Sequence, residues 1–147
     1  PTSLYGPNDN FDLKSSHVLP AMIRKFHEAK MNGTAPVELW GTGYPMREFL
    51  HVDDLGQAVL FALENKLEEH LYNVGTGVDL TIKELAELIR STVGYQGEIV
   101  WDSTKPDGTP RKLIDNSKMR NIGWRPKISL DKGIEITYEH YKNTIVQ

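Results

Sequence analysis

A histidine, an arginine, a tryptophan and an aspartate carry the chemistry this chain could do. His17 closes a polar stretch just before an apolar-periodic run, so it stands at a helix start rather than on a buried stripe. The positive end of a helix disfavours a second positive charge, which leaves a neutral imidazole free to move protons. A lone loop histidine can equally be inert. Arg47 follows a glycine turn, and its planar guanidinium can give two hydrogen bonds to a diphosphate or another ligand oxygen. Trp40 ends a short alternating run and offers a flat face to a base or ribose, although such a residue can also be core. Asp107 lies in a Pro-Asp-Gly turn, where aspartate needs no function, but Lys105, Arg111 and Lys112 make that loop basic. Asp53 and Asp54 could be paired catalytic acids; capping of the helix that follows explains them more simply. His27 and His51 read as structural or solvated.

The elements that position these residues follow from periodicity and turn chemistry. The stretch from Pro1 to about Lys14, rich in Pro, Gly, Asn and Asp, is expected to be an irregular loop. A helix capped by Ser15 or Ser16 follows, with Pro20 in its first turn and an apolar stripe of Leu19, Met22, Ile23 and Phe26, stopped at Asn32-Gly33. Val37 to Trp40 and Glu48 to Val52 are expected strands, and Asp53-Asp54 caps a helix containing Leu55, Ala58, Val59, Phe61 and Ala62. Leu71 to Val74 is expected as a strand ahead of a Gly75-Thr76-Gly77 turn. Thr81 and Glu84 form a capping box before the helix carrying Leu85, Leu88 and Ile89. Glu98 to Trp101 is a further strand, Asp102 to Lys112 a polar loop, Ser117 to Asn121 a short helix, and a last helix starts near Leu130. Strands alternating with helices indicate an α/β arrangement, with too few strands for a complete doubly wound domain.

Two glycine turns invite a dinucleotide reading. Gly75-x-Gly77 and Gly41-x-Gly43 each follow a strand, but the third glycine of the phosphate-binding fingerprint is Leu80 in one and Met46 in the other. The chain also lacks the G-x-x-x-x-G-K-[ST] loop, so it is not expected to hold NAD(P) well alone.

Composition narrows the field. The chain has 147 residues, a formal net charge of −3 and 39% hydrophobic residues. A mixed-sign, slightly acidic surface gives no electrostatic reason to expect nucleic acid, and no apolar run is long enough to suggest a membrane span. With no cysteine, disulfides, thiolate metal sites and cysteine nucleophiles are excluded from this chain, and no metal site is expected. Cytoplasm is the expected compartment.

Four clusters occur in order: Pro1-Thr2-Ser3-Leu4-Tyr5-Gly6-Pro7 with Asn8 to Phe11 and His17; Trp40 to Gly43 with Arg47-Glu48-Phe49 and His51 to Asp54; Asn73 to Gly77; and Lys105 to Lys112. Together they resemble the extended short-chain dehydrogenase/reductase superfamily beyond its catalytic Tyr-x-x-x-Lys. The first and fourth clusters are similar to its GDP-L-fucose synthase family, over essentially the whole chain. The resemblance implies a small mixed α/β substrate-binding domain, residues 1–147, with elements that normally pack on a Rossmann sheet absent from this chain.

It implies an NADPH-dependent epimerase-reductase acting on a GDP-linked 4-keto-6-deoxy sugar, in a homodimeric parent enzyme. By the same resemblance His17 is the catalytic acid/base, and Lys25, Trp40, Arg47 and Asp107 contact substrate. Pro1, Thr2, Ser3 and Leu4, with His17, border the nicotinamide. Ser3 stands where an asparagine is expected and Lys25 where arginine is common, and lysine lacks the planar fork. Lys25 lies eight residues after His17, roughly 12 Å along a helix and within about 80° of the same side. The glycine-rich NADP loop, the Ser-Tyr-Lys group and the cysteine partner of His17 are implied to lie upstream, leaving the chain inactive alone. Another extended family member, such as a sugar-nucleotide 4-epimerase or deoxysugar reductase, and a non-catalytic sugar-nucleotide-binding module are the rival readings.

Overall fold

A short alternating run at 37–40 buries Val37 and Leu39 and exposes Glu38 and Trp40, as a half-buried strand requires. This strand, β2 (Val37–Trp40), pairs in parallel with β5 (Ile99–Asp102) in a two-stranded sheet. The structure is a computed structural model in which residues 1–146 are described. The remaining strands gather on β3 (Met46–His51). Its carboxyl-terminal half pairs in parallel with β1 (Ser3–Tyr5), placing Ser3 opposite Phe49 and Tyr5 opposite His51. Its amino-terminal half pairs antiparallel with β4 (Asp79–Thr81) and parallel with β6 (Arg111–Lys112), with Arg47 opposite both Leu80 and Lys112.

Helices cover these sheets. α1 (Val18–Asn32) buries Leu19, Met22, Ile23 and Phe26 as its spacing requires, and Gly33 closes it in the left-handed conformation. α3 (Ile82–Val93) opens with the full Thr81/Glu84 capping box, both reciprocal bonds being present. α5 (Leu130–Thr144) contributes Ile134, Tyr138 and Tyr141 to the core shared with α1 and α3. A second, smaller cluster joins Leu50 of β3, Ala58 of α2 (Val52–Glu64), and Met119 of α4 (Ser117–Asn121) to Trp124. The mixed α/β class and the small strand count agree with the sequence.

Several local expectations are corrected. Residues 3–5, inside the expected opening loop, form β1, and the expected polar loop ends in β6; both are drawn into strands by β3, whose backbone groups they satisfy. Residues 71–74 are not a strand. Their inter-segment backbone bonding is the Thr2 N–H to Val74 carbonyl bond at 3.1 Å, which is no ladder, while Tyr72 and Val74 pack on the second cluster. The amino-terminal cap of α1 is His17 itself, not Ser15 or Ser16, because Asp12 ties Ser15 into the preceding turn through both its N–H and its hydroxyl.

The cap of α2 is His51, whose Nδ1 accepts from the Asp53 N–H, so the two aspartates do not cap. Asp54 is buried instead and accepts the N–H groups of Lys127 and Ile128 at 3.0 and 2.9 Å, fastening α2 to the approach of α5.

Candidate sugar-nucleotide site

Both glycine turns are built around a carboxylate that the chain itself supplies. Glu48 follows Arg47 on β3 and is fully buried, with Oε1 accepting the Gly77 N–H at 2.7 Å and the Thr76 hydroxyl at 3.2 Å. Its Oε2 accepts the Ile114 N–H at 3.1 Å. A Cβ on Gly75 would overlap Oε1, which explains the glycine at that position. Asp107 plays the same part at the other turn. Its Oδ1 accepts the Thr42 N–H and its Oδ2 the Thr42 hydroxyl, each at 2.7 Å. Those bonds, the backbone one foremost, with Arg47 adding to them, hold the Asp107 carboxyl below the usual carboxylate range. Each turn thus already holds a carboxylate, which repels a pyrophosphate; the Gly75–Gly77 turn is not preceded by a strand, and each turn leads into a strand rather than directly into a helix.

With its turn held, β3 presents Arg47 at the junction of two cavities. The larger, about 620 Å³, is lined by Thr2, Ser3 and Leu4 of the first strand segment, by His17, Val18, Leu19 and Pro20 at the head of α1, and by Asp9, Arg47, Phe49 and Lys112. The smaller, about 150 Å³, is bordered by Trp40, Pro106 and Asp107 and shares Val18 and Arg47 with the first. Thus Thr2, Ser3, Leu4, His17 and Arg47, expected from different parts of the chain, meet at one cavity. Trp40 and Asp107 meet at its extension. Pro1 and Lys25 line neither.

Each side chain has a definable setting. His17, at the N-cap of α1, makes no capping bond with its ring, so the imidazole is left to the cavity. Thr2 is committed to the sheet, its hydroxyl donating to the Glu48 carbonyl. Arg47 donates one bond to the Met46 carbonyl at 2.7 Å. Trp40, on the outward register of β2, is 65% exposed. Lys25 donates to the Glu38 carbonyl at 2.9 Å, and its ammonium lies 5.9 Å from the Trp40 ring centroid. Burial of that ammonium lowers its pKa, against a smaller opposing pull from Glu38.

The arrangement suits an anionic ligand with a flat group at one end: an exposed indole, then a guanidinium, then an imidazole in the larger cavity.

Lys112, Asp9, Phe49, Val18 and Pro20 also line the large cavity and were not expected as site residues. Lys112 was legible only as part of a basic loop. Its place beside Arg47 depends on a strand register that no local pattern carries. Glu48 had one signal, an acid ahead of an apolar pair inside a strand.

A sequence profile of the NAD dependent epimerase/dehydratase family matches residues 1–75. The chain belongs to that family. A protein from Arabidopsis thaliana named as a putative GDP-L-fucose synthase 2 is 57% identical over 147 residues, covering 100% of this chain and 45% of the relative. The GDP-L-fucose synthase of Escherichia coli is 49% identical over 150 residues, covering 96% of this chain and 47% of its own length. A solved GDP-L-fucose synthetase from Naegleria fowleri superposes on the whole chain with a TM-score of 0.92 at 27% identity, over 46% of its own length. The chain therefore spans about half the length of the relatives it matches. The extended short-chain dehydrogenase/reductase assignment made from the four clusters agrees with this membership, and the family fold accounts for the parallel strands around β3.

Proposed function

We propose that this chain is the GDP-sugar-binding portion of an NADP-dependent GDP-L-fucose synthase, which epimerises and reduces GDP-4-keto-6-deoxy-D-mannose. The observation that carries the reading is the meeting of His17, Arg47 and the 2–4 segment at one cavity, extended through Arg47 to Trp40 and Asp107. Trp40 stacks the base, Arg47 takes the diphosphate, and the hexose lies toward His17.

Epimerisation needs a proton removed α to a keto group and one returned from the other face. His17, with a ring free of capping bonds, is the acid/base this chain offers. Asp107 acts partly through Thr42, keeping the 41–43 turn and its neighbour Arg47 in place. Lys25 supports the nucleotide end beside Trp40.

NADP, when bound, supplies the hydride that reduces the 4-keto group. The residues present fit only its nicotinamide end: Thr2, Ser3 and Leu4 with His17 form one wall, next to Pro1, whereas both glycine turns already hold carboxylates. Its phosphates are therefore assigned to residues outside this chain. A homodimeric, cytoplasmic parent enzyme without a nucleic-acid partner completes the reading, in keeping with the slightly acidic charge and the absence of cysteine.

The test is nucleotide class. Calorimetric titration with GDP, UDP and dTDP is expected to rank GDP first. Preferential binding of UDP would favour a sugar-nucleotide 4-epimerase and overturn the fucose assignment.

A further inference from the structure

Trp40 is not a bare platform. Two ammonium groups stand against its indole, Lys25 at 5.9 Å and Lys105 at 5.4 Å from the ring centroid. They are held differently. Lys25 is tied to the Glu38 carbonyl of β2 at 2.9 Å. The Lys105 ammonium makes no hydrogen bond among the described residues, though its charge acts on the Asp102 carboxylate; its backbone N–H is anchored to the Asp102 carbonyl at 3.1 Å. Its side chain is thus the less constrained of the two, on a fixed base. It adjoins Pro106 and Asp107, which line the small cavity shared with Arg47.

A base stacking on the indole needs a ring face at van der Waals distance and cannot share it with an ammonium. A cation on an exposed aromatic ring gains roughly two- to five-fold in equilibrium terms. A stacked base gains roughly five- to a hundred-fold. The base therefore wins, and the lysine whose ammonium makes no hydrogen bond is the one that leaves.

Resting on the nucleotide reading above, we propose that Lys105 is a ligand-displaced cation. It covers the Trp40 indole in the empty site and moves to the nucleotide's diphosphate, beside Arg47, when a base takes its place. The arrangement favours a nucleoside diphosphate over a nucleoside twice over. Any stacking ligand must displace Lys105, but only one carrying phosphates gives the ammonium a new partner. Lys25, held to β2, stays with the indole throughout.

The test compares guanosine with GDP on the wild-type chain and its Lys105→Gln variant by calorimetry. Removing the competing cation is expected to tighten guanosine roughly two- to five-fold. The ratio of guanosine to GDP dissociation constants, the advantage conferred by the phosphates, is expected to fall roughly two- to five-fold. Guanosine affinity that is unchanged or weaker overturns the covering role, and an unchanged ratio overturns the move to phosphate. Lys25→Gln is the companion variant and is expected to weaken both ligands; if it reproduces the Lys105→Gln pattern, the assignment to Lys105 fails. A wild-type chain that binds GDP while Lys105→Gln matches it in both measurements sinks this proposal alone. Failure of the wild-type chain to bind either ligand sinks the nucleotide site as well.

Discussion

Glu48 Oε1 accepts the Gly77 N–H at 2.7 Å, so the strand that carries Arg47 also holds the turn most easily mistaken for a phosphate loop. A buried carboxylate serving three donors is an anion already in place. It gives the Gly75–Gly77 turn its shape and the sheet a link to Ile114.

Glu48→Ala should leave the partly buried Gly77 and Ile114 N–H groups without their acceptor. Hydrogen bonds to a charged group are worth about 1.5–3 kcal/mol each, so a loss of about 3 kcal/mol or more is expected. Urea unfolding of the wild-type and variant chains measures it. Gly75→Ala should destabilise for the complementary reason, since its Cβ would overlap the same carboxylate. A Glu48→Ala variant as stable as wild type would show that the carboxylate does not organise the turn.

His27 sets a pH dependence. Its Nδ1 lies 3.0 Å from the Tyr138 hydroxyl between α1 and α5. Burial lowers its pKa below the ordinary imidazole value, as do Lys30 and, more weakly, Lys142, against an opposing Glu28. The unfolded chain then binds the proton more readily than the folded one. Stability is complete above the ordinary value of about 6.5 and declines as pH falls through it toward the lowered folded value. Melting curves at pH 7.5 and 5.5 are expected to separate for the wild type and to close up in His27→Gln, which can still meet the Tyr138 hydroxyl.

How much of this was legible in the sequence depends on how local the cause was. The stripe of α1, its stop at Gly33 and the Thr81/Glu84 box are local signals, and the structure reproduces them. The β1 strand was not legible, because Ser3–Tyr5 is held by Phe49–His51 far along the chain. The cap of α2 was misassigned for a related reason. Asp54 has the composition of a cap, yet it bonds Lys127 and Ile128, a partner no local window contains. At the site, His17, Arg47, Trp40 and Asp107 could be singled out by residue type, but the roles expected of them came from the family resemblance. The Lys112 and Asp9 contributions arise from tertiary placement alone.

Helix α2 turns an apolar face outward: Val59 and Leu60 are about half exposed, and Leu63 is 79% exposed. Leu71, at 74%, is also exposed, and apolar side chains grouped on one helix face mark an association surface. The 147-residue chain is expected to enhance the fluorescence of a hydrophobic dye and to self-associate in sedimentation velocity. Leu60→Lys with Leu63→Lys should reduce both. A monodisperse monomer that leaves the dye dark contradicts the expectation.

The proposed division of labour puts the nucleotide-sugar grip in this chain and the dinucleotide phosphates outside it. Parallel titrations of the chain with GDP-mannose and with NADPH test it most directly. Measurable GDP-mannose binding that is abolished or strongly weakened by Arg47→Ala, with no NADPH binding at the same concentrations, is the expected result. NADPH binding as tight as GDP-mannose binding, or GDP-mannose binding indifferent to Arg47, would contradict it.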